Sequence, residues 1–359
     1  MRLSPFSLGL TNSLETACGA IDRREGFLVA VDPESDGEPV PAPGLGEATP
    51  LPGWTESLSA CEAALREVGD GNRGKELVTD ALDRLDPAET PAARHGLALA
   101  LADAAARDAG RSLSAHLARA EDLPAPAEAV PVNATIGDGG PEATADAAER
   151  AVDSGFDCLK VKVGARDLDA DVDRLRAVRR AVGEDVALRA DANGAWDRET
   201  AREAIERLRP LDLAYLEQPL PADDLDGAAA LRERRKGVPI ALDESLASRG
   251  LDAVLDAGAA DAVVLKPMAL GGPDLALAAA KRAREARVEP VVTTTIDAAV
   301  ARAAAVHVAA AIPDVVPCGL ATGPLLDADL APDSCPVADG AVAVPSGPGL
   351  AGDAFDDLP

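Results

Sequence analysis

Two different rhythms of apolar and polar positions divide the chain near residue 125. Before that point, strand-like runs such as GFLVAVD (residues 26–32) precede two helical segments, ESLSACEAALREV and AARHGLALALADAAARDAG. Both segments repeat apolar positions every three or four residues, which predicts amphipathic helices. Strands followed by helices predict an α+β unit over residues 1–125. The Pro- and Ala-rich segment EDLPAPAEAVP (residues 121–131) marks its boundary.

After this boundary, short apolar runs alternate with amphipathic helical stretches. Eight runs have the length of a strand: VPVNATIG, CLKVKVG, VALRADANG, LAYLEQPL, PIALDES, AVVLKPM, PVVTTTID and CGLATG. Strands alternating with helices predict a parallel sheet, and eight of them predict a closed barrel. We therefore expect an α/β fold in which residues 126–325 form a (β/α)7β-type TIM barrel and residues 1–125 form an α+β capping domain.

Composition describes the environment of the protein rather than its reaction. Only 2% of the 359 residues are aromatic, so small apolar side chains must fill the core. The net charge of −27 argues against nucleic acid and anionic membranes as partners, because both would be repelled. The small number of lysines and the dispersed carboxylates suggest a halophilic protein. In such a protein, high salt would screen the repulsion between the many negative charges. An acidic protein of ordinary salinity is the alternative.

The cysteines and the N-terminus indicate a cytoplasmic protein. The five cysteines are widely spaced and form no CxxC pair, which favours buried thiols in a reducing compartment. The segment MRLSPFSLGL lacks a basic region followed by a long apolar run, and no apolar stretch is long enough to span a membrane. We expect the partner to be a small-molecule carboxylate. The sequence does not define an oligomeric state.

Three acidic residues end three successive predicted strands. Asp191, Glu217 and Asp243 are each separated by 26 residues, the length of one strand–helix unit. The carboxyl ends of barrel strands meet at one mouth, so these carboxylates would repel each other unless a cation lay among them. Oxygen ligands favour a hard divalent ion, Mg²⁺ with Mn²⁺ as a substitute. The alternative for each acid alone is a helix cap or an arginine pair.

Lysines occur at the same mouth in a chain that otherwise avoids them. Six lysines stand against 29 arginines, yet Lys160 and Lys162 share one face of the second strand and Lys266 ends the sixth. A lysine can give up its proton and act as a base, which arginine cannot. Lysines beside a divalent cation suit proton removal next to a carboxylate, since the resulting enediolate needs electrostatic stabilisation. Outward-facing lysines are the alternative.

The motifs KVK, DAN, LEQP, ALDES and VLKP together resemble the enolase superfamily, in particular its muconate-lactonizing subgroup. The resemblance implies that RREGFLVAVD and GEATPLPG belong to the capping domain, which residues 326–359 return to complete. It implies Lys162 as the principal acid/base, Lys160 as its electrostatic neighbour and Lys266 as the opposing lysine. By the same resemblance the metal ligands are Asp191, Glu217 and Asp243, with Asn193 and Glu244 as supporting residues.

Within the subgroup, GEATPLPGWTESL, TTTID and GLATGPLLDADL resemble the o-succinylbenzoate synthase family. That family implies a lyase of menaquinone biosynthesis, which dehydrates 2-succinyl-6-hydroxy-2,4-cyclohexadiene-1-carboxylate to 2-succinylbenzoate. Lys162 would be first the base and then the acid of this syn dehydration. Thr294, Thr295 and Gly319 would contact the substrate, although Asp297 stands where the family commonly has glutamate. Residues 9–21 are expected to form a loop that closes over the mouth.

Other functions remain open at this level. A dipeptide epimerase, an N-acylamino acid racemase or a cycloisomerase of the subgroup would use the same lysines and metal. A dipeptide epimerase typically carries D-x-D at the eighth strand, and CGLATG has none. A non-catalytic barrel would be expected to lose a flanking lysine, and both are present. The three histidines fall in helical segments and, with Trp54 and Trp196, are interpreted as packing or surface residues.

Overall fold

A computed structural model describes residues 1–16, 19–31, 44–70, 78–233 and 237–359. Its N-terminal part combines a three-stranded antiparallel sheet, in the order β1-β2-β3, with four helices. The strands are β1 (Arg2–Thr16), β2 (Gly19–Val31) and β3 (Gly44–Ala48), and the helices are α1 (Leu58–Asp70), α2 (Val78–Asp83), α3 (Pro91–Asp108) and α4 (Leu113–Ala120). This part therefore has the predicted α+β character.

The following part alternates strands and helices, as the sequence rhythm predicts. After β4 (Ala129–Pro131), the parallel strands are β5 (Ala134–Ile136), β6 (Cys158–Lys162), β7 (Ala187–Asp191), β8 (Leu213–Glu217), β9 (Ile240–Leu242), β10 (Ala262–Leu265) and β11 (Glu289–Val292). The helices are α5 (Pro141–Asp153), α6 (Leu168–Val182), α7 (Arg198–Leu208), α8 (Leu225–Arg232), α9 (Glu244–Arg249), α10 (Leu251–Asp256), α11 (Pro267–Leu270), α12 (Pro273–Glu285) and α13 (Ala299–Ala311). Strands β5 to β11 form one parallel sheet in chain order.

Residues 318–319 take the place of a short eighth strand and close this sheet into a barrel. Cys318 forms a parallel bridge with Val132, just before β5, and Gly319 forms one with Thr293, just after β11. The amide of Gly319 donates to the carbonyl of Val292, and the amide of Asn133 donates to the carbonyl of Cys318. The first and seventh strands are thus joined through residues 318–319.

Small side chains and aspartate caps explain much of the local structure. Helices α6, α7 and α8 begin where Asp167, Asp197 and Asp224 accept hydrogen bonds from amides three residues later. Every residue of α13 is buried, and alanine supplies most of them. Small side chains therefore form this part of the core, as the low aromatic content predicts.

The C-terminal tail contacts both the capping domain and the base of the barrel. Strands β12 (Val337–Ala338) and β13 (Ala341–Ala343) form a small antiparallel sheet with β4. Asp103 of α3 is buried and accepts hydrogen bonds from the amides of Leu45 in β3 and Leu350 in the tail. The tail therefore packs on the cap helices, while the boundaries at 125 and 325 stay a prediction.

Two buried charged side chains of the cap bind the barrel directly. Glu47 of β3 accepts hydrogen bonds from the amides of Ala298 (2.9 Å) and Ala301 (2.8 Å) at the start of α13. Arg24 of β2 donates to the carbonyl of Ile296, beyond β11, and to the carbonyls of Thr49 and Pro50. Burial, reinforced by the negative charge of Asp297, raises the pKa of Glu47 to about 7. The cap is thus joined to the barrel beside the end of the seventh strand.

Two expectations about local structure are wrong. Residues 9–16 and 19–21 belong to the antiparallel hairpin of β1 and β2 instead of a loop, and residues 17–18 lie outside the described part. Closure of this segment over the mouth stays a prediction. The hairpin contacts the region after the eighth strand, where Leu10 bridges Leu326. The run VPVNATIG contains two strands, because β4 pairs with tail strand β13 and only β5 joins the barrel.

The described cysteines are buried and free, as the sequence predicts. Four cysteines, Cys61, Cys158, Cys318 and Cys335, are free and buried, and Cys18 lies outside the described residues. Across the described residues, no helix is both long enough and apolar enough to cross a membrane.

Candidate active site

The predicted lysines and carboxylates lie at neighbouring strand ends of the barrel. Lys162 of β6 is the register partner of Asp191 in β7, and Asp191 is the register partner of Glu217 in β8. Asp243 follows β9 and Lys266 follows β10, the next strands of the same sheet. Strands β6 and β10 lie on opposite sides of the closed barrel, so lysines face the carboxylates from both sides.

Lys160 bridges two of the carboxylates from below the strand ends. Its Nζ lies 3.0 Å from Glu217 Oε1 and 3.1 Å from Asp191 Oδ2. Burial alone would lower the pKa of Lys160, but the two carboxylates hold it well above its usual value. Lys160 is therefore a fixed positive charge under the site.

Lys162 is more accessible and connects to both supporting residues. Its Nζ lies 2.7 Å from Asp191 Oδ2 and 2.9 Å from Asn193 Oδ1, and 38% of its side chain is exposed. The side-chain Nδ2 of Asn193 donates to Glu244 Oε1 at 2.9 Å. Asn193 therefore links Lys162 to Glu244 and fixes the direction of the Lys162 ammonium at the mouth.

Lys266 approaches from the opposite side and meets an aromatic ring of the cap. Its Nζ lies 2.6 Å from Asp243 Oδ2 and 3.1 Å from the centre of the Trp54 ring. Trp196, in contrast, is buried in the hydrophobic core, as expected. Trp54 is a residue whose place at the site the sequence interpretation missed. Two features of the sequence could have indicated a role for Trp54: it lies in a Gly/Pro turn, and the chain has only two tryptophans.

Gln218 is a second residue that the interpretation missed, although it lies within the LEQP motif. Its Oε1 accepts hydrogen bonds from the amides of Asp243 (3.1 Å) and Ser245 (3.2 Å), and its Nε2 donates to Ser245 Oγ. Gln218 adopts a left-handed backbone with φ of 39°. It fixes the backbone of Asp243 relative to that of the neighbouring Glu217, and so sets the spacing of two carboxylates.

The carboxylate set has the chemistry that a divalent cation requires. Asp191, Glu217 and Asp243 are all buried. Burial and the negative charge of Asp191 raise the pKa of Glu217 to about 7, and burial raises the pKa of Asp243. Lys160 and Lys162 overcome burial and lower the pKa of Asp191. Asp243 Oδ1 is buried without a hydrogen-bond partner, which is unusual for a carboxylate oxygen.

These residues fit a hard cation, which prefers oxygen ligands. Among the residues that the structure describes, however, no group of three or more acidic, histidine or cysteine side chains is arranged so that it could hold a metal ion. Each of the three carboxylates contacts a lysine ammonium instead. The ammonium groups of these lysines thus offset the repulsion between the three carboxylates.

The predicted substrate contacts lie beside the mouth, but their polar groups have internal partners. The hydroxyl of Thr294 pairs with that of Thr322 at 3.0 Å, and the hydroxyl of Thr295 donates to Asp297. Gly319 accepts a hydrogen bond from Thr293 Oγ1 and lies against that side chain. Asp297 is buried next to the cap rather than exposed at the mouth. The substrate contacts stay a prediction.

Comparison with known proteins identifies the family. Residues 143–356 match the family model described as enolase C-terminal domain-like, which covers more than half of the chain. The chain therefore belongs to the enolase superfamily, and the predicted barrel-and-cap fold class is confirmed.

Related sequences carry several activities. The chain is 44% identical over 216 residues to the o-succinylbenzoate synthase of Thermobifida fusca, an alignment that covers 58% of this chain and 65% of that synthase. It is 35% identical over 184 residues to the N-succinyl-L-Arg/Lys racemase of Bacillus cereus, covering 51% and 49% of the two chains. It is 29% identical over 357 residues to the L-Ala-D/L-Glu epimerase of Bacillus subtilis, covering 97% and 94%. In the first two cases the matched region spans less than two thirds of the relative.

Solved structures show the same architecture. The substrate-liganded Bacillus subtilis L-Ala-D/L-Glu epimerase superposes with a TM-score of 0.85 at 28% identity, covering 98% of this chain and 97% of that one. The dipeptide epimerase of Enterococcus faecalis V583, complexed with Mg and the dipeptide L-Leu-L-Tyr, gives 0.84 at 25% identity, with 97% of both chains covered.

Proposed function

We propose that this protein is an o-succinylbenzoate synthase, a lyase that dehydrates 2-succinyl-6-hydroxy-2,4-cyclohexadiene-1-carboxylate to 2-succinylbenzoate in menaquinone biosynthesis. The observation that carries the reaction class is the pair of lysines, Lys162 and Lys266, on opposite strands of the barrel with three carboxylates between them. Such a site suits proton removal next to a carboxylate. The similarity to the Thermobifida fusca synthase supports this substrate within the class.

Asp191, Glu217 and Asp243 are the residues that would hold Mg²⁺, with Mn²⁺ as a substitute. A divalent cation there supplies Lewis-acid stabilisation of the negative charge that develops on the substrate carboxylate. The complex of the Enterococcus faecalis epimerase with Mg supports the choice of ion. Gln218 maintains the spacing of Glu217 and Asp243 through its hydrogen bond to the Asp243 amide.

Lys162 acts as the base and then as the acid. In the reactive form Lys162 is a neutral amine; its Nζ lone pair takes the proton from the carbon next to the substrate carboxylate, and the electron pair of that C–H bond forms the new ring double bond. The neighbouring C–O bond breaks, and the departing hydroxide leaves as water with the proton that Lys162 returns. The ring becomes aromatic, which drives the reaction. Asn193 and Glu244 orient Lys162, and Lys160 stays charged beneath it.

Lys266 contributes a fixed positive charge on the opposite side of the ring. Proton removal and hydroxide departure both occur on the face of Lys162, so Lys266 does not exchange a proton with the substrate. Its contact with Asp243 supports this fixed position. Preorganised charge of this kind stabilises a transition state without reorganisation during the reaction.

An epimerase or racemase is the second candidate, because the similarity to the Bacillus subtilis epimerase extends over nearly the full length of both chains. Such a reaction needs a base on each face of the α-carbon, and both lysines are present. Dipeptide epimerases typically hold the substrate ammonium with two acids at the eighth strand. Residues 318–322 here are Cys, Gly, Leu, Ala and Thr, which offer no charge for that purpose. An N-acylated substrate would not need those acids, so N-acylamino acid racemisation is the competing activity.

The test is direct production of the aromatic ring. Purified protein in high salt with Mg²⁺ and the cyclohexadiene carboxylate should generate the ultraviolet absorption of 2-succinylbenzoate. Lys162→Ala protein with unchanged circular dichroism is the matched control and should give none. No aromatic product from folded, metal-loaded protein would contradict the proposal. The cytoplasmic location and the adaptation to high salt are separate proposals that rest on composition.

A further inference from the structure

Trp54, a residue of the cap, contacts Lys266, which follows the sixth strand of the barrel. The Lys266 Nζ lies 3.1 Å from the centre of the Trp54 ring while it also lies 2.6 Å from Asp243 Oδ2. The face of an indole carries negative charge density and attracts an ammonium. Only 12% of the Lys266 side chain is exposed, so water screens this attraction weakly. The cap therefore supplies one of the two groups that hold the Lys266 charge.

The turn that carries Trp54 has a fixed shape. The carbonyl of Leu51 accepts hydrogen bonds from the amides of Trp54 and Thr55, both at 3.0 Å. The Thr55 hydroxyl accepts in return from the Leu51 amide at 2.8 Å. Gly53 supplies the left-handed residue of the turn, with φ of 87°. The ring is thus presented by a closed turn, which limits the directions in which it can point.

Contacts beyond the sixth and the seventh strand hold the same turn on the barrel. Arg24 donates to the carbonyls of Thr49 (2.8 Å) and Pro50 (2.9 Å), directly before the turn, and to the carbonyl of Ile296 (3.2 Å). The amide of Thr49 also contacts the sulfur of Met268, two residues beyond Lys266, at 3.5 Å. Docking of the cap therefore sets the distance between the Trp54 ring and Lys266.

We propose that Trp54 is a positioning residue that restricts Lys266 to the role of a fixed charge. An ammonium has three N–H groups; Asp243 takes one, the ring covers a second side, and one direction is left for the substrate. Syn dehydration requires such a stationary charge opposite Lys162. Without the ring, the Lys266 side chain gains other rotamers and its charge is no longer aimed. The kinetic consequence rests on the proposed function, whereas the contact itself does not.

Two substitutions separate the ring face from simple space filling. Trp54→Phe keeps an aromatic face, and Trp54→Leu keeps an apolar side chain without one. We expect Trp54→Leu to lower kcat for dehydration roughly 5- to 30-fold, the range for loss of a partly desolvated cation–π contact. KM should change less than kcat, and Trp54→Phe should recover most of the loss. Equal kcat values for the two variants, or a Trp54→Leu value within about twofold of the parent, would overturn the proposal.

Fluorescence tests the contact without any substrate. The chain has two tryptophans, so Trp196→Phe leaves Trp54 as the sole indole. In that background, Lys266→Met should shift the emission of Trp54, because the adjacent ammonium is lost. Lys281→Met is the matched control, since Lys281 pairs with Glu121 on the outside of the barrel, and it should leave the emission unchanged. Unchanged emission in Lys266→Met overturns the inference. A shift without dehydration activity retains the contact and rejects the proposed function instead.

Discussion

Replacement of Arg24 by methionine should destabilise the protein far more than loss of an exposed arginine. The Arg24 side chain is buried, and its guanidinium donates to three carbonyls, two in the cap and one in the barrel. The carboxylates of Asp297 and Glu47 also lie close enough to favour its charged form, although burial lowers the pKa of Arg24 overall. Methionine retains the aliphatic part of the side chain, so the substitution removes only the charged guanidinium and its hydrogen bonds.

The magnitude follows from the groups left behind. A buried acceptor that loses its donor costs about 1–3 kcal/mol, and breaking a buried charged network costs about 3–5 kcal/mol. Ile296 adds to this, because its φ of 61° is strained for a β-branched residue and Arg24 binds its carbonyl. Relaxation and water entry offset part of the sum. We therefore expect Arg24→Met to lower the free energy of unfolding by about 3–5 kcal/mol.

Urea denaturation at constant high salt measures this loss. Arg66→Met is the control, because the Arg66–Glu62 pair lies on a helix surface with side chains 65% and 40% exposed and should contribute about 0.5 kcal/mol or less. Arg24→Lys should recover only part of the stability, since one ammonium cannot serve three carbonyls in the directions that the planar guanidinium reaches. A loss for Arg24→Met within about 1 kcal/mol of the Arg66→Met value would refute the reasoning.

Three further results are expected. Lys162→Arg should lower turnover by ~10²–10⁴ without changing the circular dichroism, because arginine cannot release a proton; activity within about tenfold of wild type would rule out Lys162 as the base. Chelation should abolish activity, and Mg²⁺ or Mn²⁺ should restore it. Full activity in protein that elemental analysis finds metal-free would show that the three carboxylates do not hold a metal needed for the reaction. Burial lowers the pKa of His307 to about 4, so between pH 4 and 6.5 the unfolded chain binds more protons and stability should rise with pH, by about 3 kcal/mol in all. His307→Gln, which cannot titrate, should flatten that dependence of the urea midpoint, and an unchanged slope would assign it to other groups.

The barrel and its charged strand ends were predictable because they depend on local order. Each strand–helix unit repeats a short pattern, and the register of parallel neighbours brings the last residues of successive strands together. Lys162, Asp191 and Glu217 are register partners for that reason. The predicted helices in the cap agree with α1 and α3 because helix formation is also local. Helix α3 is not amphipathic as predicted, however, because every residue from 91 to 100 except Arg94 is buried.

Features that depend on contacts between distant segments were not predictable. Arg24 and Ile296 are 272 residues apart, and nothing around either residue indicates the other. Trp54 was interpreted as packing because the sequence does not reveal that its turn docks above Lys266. The run VPVNATIG was read as one strand, but β4 pairs with a tail strand about 200 residues later. Apolar periodicity predicts that a segment is a strand, but it does not predict which other strand that segment pairs with.

The most direct test of the account compares dehydration with racemisation on one protein sample. Both reactions begin with proton removal next to a carboxylate, but only racemisation requires Lys266 to exchange a proton with the substrate. The ratio of kcat/KM for the cyclohexadiene carboxylate to that for an N-succinylamino acid, in the same high-salt buffer with Mg²⁺, measures which transition state the site stabilises. The account predicts a ratio far above one. A ratio of one or less would contradict the synthase proposal and make racemisation the principal activity.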